Sequence, residues 1–307
     1  MSGSRRDLAG EPPTVSAPGW AIEADPAVLL PGQPVRVSIT YMPDHDLDAR
    51  GVHAMLRCTE RYRYSRTEGS GSSAHRVTRT GVEELARIEV QLAGAQRIVR
   101  GQPVTWHCSF DVPGLGPASF EGDALRCDWT LEANIDVPMG LDPRLEQAVH
   151  VAQPMALLRA GVIDTGQFGL FEEVPVNLDA LPAQIRLEPV PVSLQTPFDG
   201  TFTVEMAGKG EVQEVRLELR IASAVTVPGG HHDEIVAWRG ILQAGPGPFG
   251  GPLTAHPFHA DAIGAWLPTI DLPHGRARAE FHVIVAQAWA PDIHYVRDVA
   301  VATTTEL

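Results

Sequence analysis

Residues Val104–Pro138, VTWHCSFDVPGLGPASFEGDALRCDWTLEANIDVP, contain two alternating runs separated by a turn rich in proline and glycine. In the second run, Leu125 to Val137, every other residue is apolar and the residues between them are polar or charged. Successive side chains of a strand point to opposite faces of a sheet, so this period of two predicts strands that bury one face. Asp111–Gly122 supplies the turn residues that reverse the chain. The stretch therefore predicts an antiparallel sheet packed on one side.

The same alternation recurs along the chain, and several signals of the second half follow in the order of those in the first half. This predicts an all-β protein of two tandem antiparallel β-sandwiches joined by a short helical connector. We expect a disordered leader over 1–18, an N-terminal β-sandwich over 19–153, a connector over 154–182 and a C-terminal β-sandwich over 183–307. Ser65–Thr80 is rich in Gly, Ser, Thr and Arg and predicts a mobile hairpin loop.

The composition is that of an acidic chain without a membrane segment. The 307 residues carry 24 basic and 38 acidic side chains, which gives a formal net charge of −14. Nucleic acids and anionic membranes bind basic surfaces, so we expect no nucleic-acid partner. No apolar run reaches the roughly 18 residues of a spanning helix, and no secretory signal follows Arg5 and Arg6. We therefore expect a cytoplasmic protein with no transmembrane segment.

The three cysteines are an odd number, which does not fit a disulfide framework. Cys58, Cys108 and Cys127 each fall in register with apolar neighbours, and free cysteine behaves as a small buried hydrophobe. We predict three reduced core residues, as in a cytosolic protein. The spacing leaves open whether Cys108 and Cys127 pair.

Several short motifs resemble those of the arrestin N-terminal domain: LPGQPV at Leu30–Val35, RGVHAML at Arg50–Leu56, FDVP at Phe110–Pro113 and DWTLEA at Asp128–Ala133. The second half looks like the arrestin C-terminal domain. A bacterial branch, the sporulation-control proteins, is similar in overall layout. The resemblance implies arrestin/immunoglobulin-like sandwiches and a non-enzymatic scaffold. Such a scaffold binds partners through exposed strands, loops and the cleft between its domains.

The histidines of the second half are weak candidates for a metal site. His231, His232, His256 and His259 lie in separate Pro/Gly-rich stretches, with His274 further on. Zinc needs three or four such groups to converge, and the spacing specifies no such arrangement. Surface histidines are the simpler interpretation, so we expect no metal and no cofactor. The sequence also contains no catalytic motif, so we predict no catalytic residues and no enzyme.

A group of arginines is the one local basic patch in this acidic sequence. Its members are Arg57, Arg61, Arg63, Arg66, Arg76 and Arg79. The first three alternate on the face opposite Cys58, and the others lie in the adjoining loop. Arginine forks bind phosphate and carboxylate groups, so the patch predicts capture of a phosphorylated or acidic peptide. The alternative is a solvated sheet face that Glu60, Glu83 and Glu84 balance.

These observations favour an adaptor that binds a protein or peptide through sheet edges and the cleft between the domains. One alternative is a small-molecule or carbohydrate module that uses loop aromatics at Trp238, Phe249, Phe258 and Trp266. A second alternative is a metal-dependent hydrolase that uses the loop histidines. The sequence specifies neither the partner nor the oligomeric state.

Overall fold

The computed structural model describes residues 19–70, 73–138, 140–159, 183–204, 211–249 and 254–304. The predicted leader at 1–18 and most of the predicted connector, residues 160–182, lie outside this range. The strands of the first half are β1 (Trp20–Asp25), β2 (Val28–Leu29), β3 (Pro34–Tyr41), β4 (Leu47–Ala49), β5 (Gly51–Glu68), β6 (His75–Ala93), β7 (Gln96–Ile98), β8 (Val104–Asp111), β9 (Phe120–Glu121), β10 (Leu125–Asp136) and β11 (Arg144–Val151). A short helix, α1 (Met155–Arg159), follows them.

The strands of the second half are β12 (Ala183–Glu188), β13 (Val192–Ser193), β14 (Phe198–Val204), β15 (Val212–Val225), β16 (His232–Gly247), β17 (Ala255–Ala260), β18 (Ile270–Leu272), β19 (Gly275–Gln287), β20 (Ile293–Val299) and β21 (Val301–Ala302). The predicted all-β fold of two tandem sandwiches with a short helix after the first is confirmed. The boundaries that the sequence predicts for the two sandwiches stay predictions.

The first sandwich packs a three-stranded sheet, in the order β1-β3-β8, against a six-stranded one. The larger sheet has the order β2-β11-β10-β5-β6, with β9 paired to β10, and a small β4-β7 pair lies beside them. The two strands of Val104–Pro138 belong to different sheets, because β8 pairs with β3 whereas β10 pairs with β5 and β11. The Pro/Gly turn therefore carries the chain from one sheet to the other, and the two buried faces meet in the core.

The core of the first sandwich contains the residues that alternate in the quoted stretch. Trp129 and Leu131 of β10 and Phe110 of β8 are almost completely buried. Each large apolar side chain buried in this way contributes about 1.5–3 kcal/mol relative to an exposed one. The Trp129 indole N–H donates to Pro117 O at 2.9 Å, which satisfies the one polar group that this burial removes from water.

The cysteines lie in both sheets. Cys58 of β5 and Cys127 of β10 are buried with their sulfurs 3.5 Å apart, and Cys108 lies on β8 in the smaller sheet. All three are free thiols in the structure. The neighbour of Cys127 is therefore Cys58, not Cys108.

The second sandwich repeats this plan. A three-stranded sheet, β12-β14-β17, faces a sheet in the order β16-β15-β19-β18, and β20 pairs with the other part of β19. Like β5 and β6, β15 and β16 form a long antiparallel hairpin at the edge of the larger sheet. β13 and β21 add a short parallel pair.

The predicted loop at Ser65–Thr80 is wrong. β5 continues to Glu68 and β6 begins at His75, and these two residues face each other in the pairing. Alternating Thr, Tyr, Val and Arg side chains suit an exposed two-stranded ribbon although the segment is polar. The turn is therefore confined to the residues between Glu68 and His75.

Candidate partner-binding ribbon and domain junction

The end of the β5–β6 hairpin, residues 61–68 and 75–80, forms a ribbon that we call the basic ribbon. The register places Arg61 opposite Val82, Arg63 opposite Thr80 and Thr67 opposite Arg76, so these three arginines share one face. Arg57 lies further back on the same face, and Arg66 and Arg79 lie on the opposite face. The arginines that the sequence analysis assigned to a loop thus stand on paired strands.

Four of the six arginines have carboxylate partners. Arg57 lies 2.5 Å from Glu132 of β10, and the Arg61 Nε lies 3.1 Å from Asp128. Arg66 and Arg79 both donate to one oxygen of Glu68, and these bonds lower the pKa of the Glu68 carboxyl. The carboxylates that pair with these arginines are therefore mainly different from the three that the sequence suggested, Glu60, Glu83 and Glu84.

Arg63 and Arg76 differ from the other four arginines. Both side chains are exposed, and neither has an ion pair or a side-chain hydrogen bond within the part of the chain that the structure describes. A guanidinium group offers five N–H donors in a planar fork that matches carboxylate and phosphate groups. These two side chains are thus the unpaired donors on one face of the ribbon.

The base of the basic ribbon docks on the second sandwich through the turn between β15 and β16. The Ser65 N–H donates to Gly229 O at 2.7 Å, and the His231 N–H donates to Arg63 O at 2.9 Å. Tyr64 and Gly230 form an antiparallel bridge between these bonds. The strand that carries the arginines therefore also carries a main-chain contact between the two sandwiches.

A buried carboxylate forms a second contact between the sandwiches. Glu60 of β5 is 0% exposed, and it accepts hydrogen bonds from the His274 N–H at 3.0 Å and from His274 Nδ1 at 2.9 Å. The imidazole stacks on Tyr62 with ring centroids 4.3 Å apart, and its Nε2 lies 3.3 Å from Glu83. Two hydrogen bonds from one residue fix both the orientation of the segment around His274 and its distance from Glu60.

The sequence analysis missed this contact, although a signal for it exists. Glu60 lies in the inward register of β5, between Cys58 and Tyr62. A carboxylate in the middle of an apolar face needs a buried partner. The partner is 214 residues away along the chain, so the sequence does not identify it.

Residues 21–157 match the family model of the arrestin (or S-antigen) N-terminal domain. The first sandwich is arrestin-like. The match begins in β1 and ends in α1, so it covers this sandwich except Trp20 and includes both strands that bear the basic ribbon. No curated protein matches the chain. Assignment to the sporulation-control branch stays a prediction.

Arrestin-like proteins are generally non-enzymatic scaffolds. Among the described residues of the chain, no helix is long and apolar enough to cross a membrane.

The candidate histidines of the second half have separate surroundings. His231 Nε2 lies 2.7 Å from Ser65 Oγ at the domain junction, and His232 is exposed where β16 begins. His256 stacks on Phe249, and burial lowers its pKa. The Asp199 carboxylate bonds to His259 and raises its pKa. No group of three or more His, Cys, Asp or Glu within the described ranges is arranged to hold a metal ion.

Three of the four candidate aromatics make ring contacts inside the second sandwich. Trp238 contacts Phe258 at 6.1 Å, and Phe249 contacts Phe202 at 6.2 Å. These rings pack against one another, as in a core. Trp266 differs, since it stacks on His150 of the first sandwich.

Proposed function

We propose that this arrestin-like protein is a non-enzymatic adaptor that captures an acidic or phosphorylated segment of a protein partner on its basic ribbon. The observation that supports this is a pair of exposed arginines on one face of the ribbon, Arg63 and Arg76, which have no carboxylate partner among the described residues. A chain with a formal net charge of −14 repels acidic partners over most of its surface, so a local basic face directs them to one place.

The neighbouring ion pairs do not prevent capture. Arg66, Arg79 and Glu68 are at the surface, and exposed ion pairs contribute little to stability because water competes with them. A phosphate group on a partner forms stronger charge-assisted bonds with an arginine fork. These arginines can therefore exchange Glu68 for a ligand at little cost.

The edge of the larger sheet supports binding of an extended segment. Among the described strands, β6 pairs only with β5 and ends the sheet order. Strand addition at such an edge supplies backbone hydrogen bonds without any catalytic group, and side chains of the ribbon then select the sequence. In this proposal the adaptor acts in the cytoplasm, needs no cofactor and binds no nucleic acid.

Charge reversal of the two unpaired arginines tests this proposal. We expect the double variant Arg63→Glu with Arg76→Glu to bind phosphoserine peptides from an array at least tenfold more weakly than the unchanged protein. Each charge-assisted hydrogen bond contributes about 1.5–3 kcal/mol, so the loss of two such bonds should weaken binding by more than tenfold. Fluorescence anisotropy with the best phosphopeptide and its unphosphorylated form measures the difference.

A matched control separates a local site from a general charge effect. Arg36→Glu with Arg100→Glu makes the same change in net charge at exposed positions away from the ribbon. We expect this control to weaken binding by less than a factor of about three, through long-range electrostatics alone. Equal losses in both variants, or no phosphopeptide binding by the unchanged protein, would show that the ribbon is not the capture site.

A further inference from the structure

An aromatic stack joins the two sandwiches at a place separate from the basic ribbon. His150, near the end of β11, lies face to face with Trp266, which belongs to the segment between β17 and β18. The ring centroids are 4.1 Å apart and the ring planes differ by 1°. Beside the stack, the Glu121 N–H donates to Trp266 O at 2.9 Å. The stack and this bond together hold the segment against the first sandwich.

The imidazole of His150 has no hydrogen-bond partner within the described residues. Both Nδ1 and Nε2 are buried from solvent without a donor or acceptor in reach. A neutral imidazole carries one N–H, whereas an imidazolium carries two and a positive charge. A charged donor buried without an acceptor costs more than a neutral one, so burial lowers the pKa of His150 while Asp128 opposes the change.

A cation on an indole face is attractive, and this effect acts against that cost. A cation–π contact makes only a modest favourable contribution. An ion buried without hydrogen bonds loses a much larger part of its hydration free energy, even after the protein relaxes. The loss of hydration exceeds the attraction, so the stacked geometry favours the neutral ring.

A cavity of about 410 Å³ lies next to His150. Its charged lining consists of two carboxylates, Asp128 and Glu121, and two guanidinium groups, Arg61 and Arg126. Both arginines pair with Asp128, at 3.1 and 3.2 Å. Cys127 is the remaining titratable group of the lining, and its pKa is raised by its bond to Cys58 and by burial, so it stays neutral near pH 7. The cavity therefore offers a protonated His150 both space and carboxylate acceptors.

We propose that protonation of His150 opens this part of the domain junction. The charged ring leaves Trp266 and turns into the cavity, where Asp128 and Glu121 accept its two N–H groups. Trp266 and its segment then lose their stacking partner, and the bond from Glu121 to Trp266 becomes exposed to water. The junction is thus closed while His150 is neutral and loosens in mild acid.

The direction follows from proton linkage. In the stacked state the pKa of His150 lies below its ordinary value of 6.5, and in the open state the ring regains access to water and to carboxylates. The open state therefore binds the proton more tightly, so the contribution of the stack is complete above the ordinary value and falls as the pH drops through it. The loss of stabilisation by the stack is complete once the pH is below the lowered pKa of His150.

Hydrogen exchange of the full-length protein tests the proposal. Mass spectrometry follows peptides that cover residues 117–124 and 261–269 at pH 7.5 and pH 5.5, after correction for the intrinsic pH dependence of amide exchange. We expect protection in both peptides to fall several-fold at the lower pH in the unchanged protein. His150→Phe keeps a flat ring on Trp266 but cannot take a proton, so its protection should not depend on pH in this range.

Two further measurements keep the result interpretable. His107→Gln removes an exposed histidine of the smaller sheet and should retain the pH response of the unchanged protein. If His150→Phe does not fold, histidine ring NMR of the unchanged protein provides the answer, because the proposal requires His150 to titrate below the exposed histidines. The proposal is wrong if His150→Phe shows the same loss of protection, if the unchanged protein shows none, or if the ring titrates normally.

Discussion

At the scale of single residues, the thiols of this protein are chemically quiet. Cys58 and Cys127 are buried against each other, and their contact raises the pKa of Cys127, with burial adding to the effect. Burial alone raises the pKa of Cys108 to about 11. The thiolate is the reactive form of cysteine, so each of these changes protects a thiol from alkylation and oxidation.

We predict that iodoacetamide at pH 8 labels the native protein slowly. For Cys108, the smaller thiolate fraction is partly offset by a more nucleophilic thiolate, which leaves labelling about tenfold slower than for a free cysteine. Cys58 and Cys127 should react only after unfolding. Peptide mass spectrometry before and after urea treatment measures the labelled fraction, and rapid native labelling of Cys127 would contradict the prediction.

At the scale of elements, the turn between β15 and β16 depends on one glycine. Gly229 has φ = 72°, and a side-chain carbon there would lie 2.1 Å from Ser65 O, the backbone of the docked ribbon. Both the backbone conformation and the close approach exclude a larger residue. The contact between the ribbon base and the second sandwich therefore requires glycine at this position.

We predict that Gly229→Ala destabilises the protein more than a glycine substitution with the same backbone strain. Gly101 has φ = 70° and open space where a side-chain carbon would be, so Gly101→Ala should cost only about 1 kcal/mol. Gly229→Ala adds a clash with Ser65 and should cost about 2–4 kcal/mol and lose protection of the Ser65 amide. Urea unfolding of both variants makes the comparison, and equal costs would argue against a tight ribbon base.

How much of the molecule the sequence predicts also depends on scale. The alternation from Leu125 to Asp136 predicts a strand with one buried face because it needs only the period of two. That β8 pairs with β3 and not with β10 depends on register across the fold, which no local pattern specifies. The sequence over 65–80 favours a loop, because polar residues at exposed strand positions resemble loop residues.

At the scale of the whole molecule, the two sandwiches meet through a continuous cluster of buried residues with polar contacts around it. Asp233 of β16 accepts hydrogen bonds from the main-chain N–H groups of Asp123 and Ala124 in the first sandwich. Gly275 lies against Leu125, where a side-chain carbon would come within 2.6 Å. Contacts of this closeness hold the sandwiches in one relative orientation.

We predict that Glu60 and His274 stabilise this orientation as a pair. His274→Ala removes the imidazole donor of a buried carboxylate and leaves it only the main-chain N–H of residue 274, so it should cost about 3–5 kcal/mol. Glu60→Leu with His274→Leu should recover much of that loss. Differential scanning calorimetry measures stability, and small-angle X-ray scattering detects separation of the sandwiches. A His274→Ala protein as stable as a His107→Ala control would contradict a structural role for the pair.

The continuity of β5, from the core through the junction at Tyr64 to the ribbon, limits which insertions the hairpin tolerates. An extra residue between Tyr64 and the turn, matched by one in β6, would exchange the two faces for every residue beyond it. Related hairpins that keep a basic face should therefore differ in length by even steps on each strand. Additions within the turn after Glu68 escape this rule, because the pairing ends there.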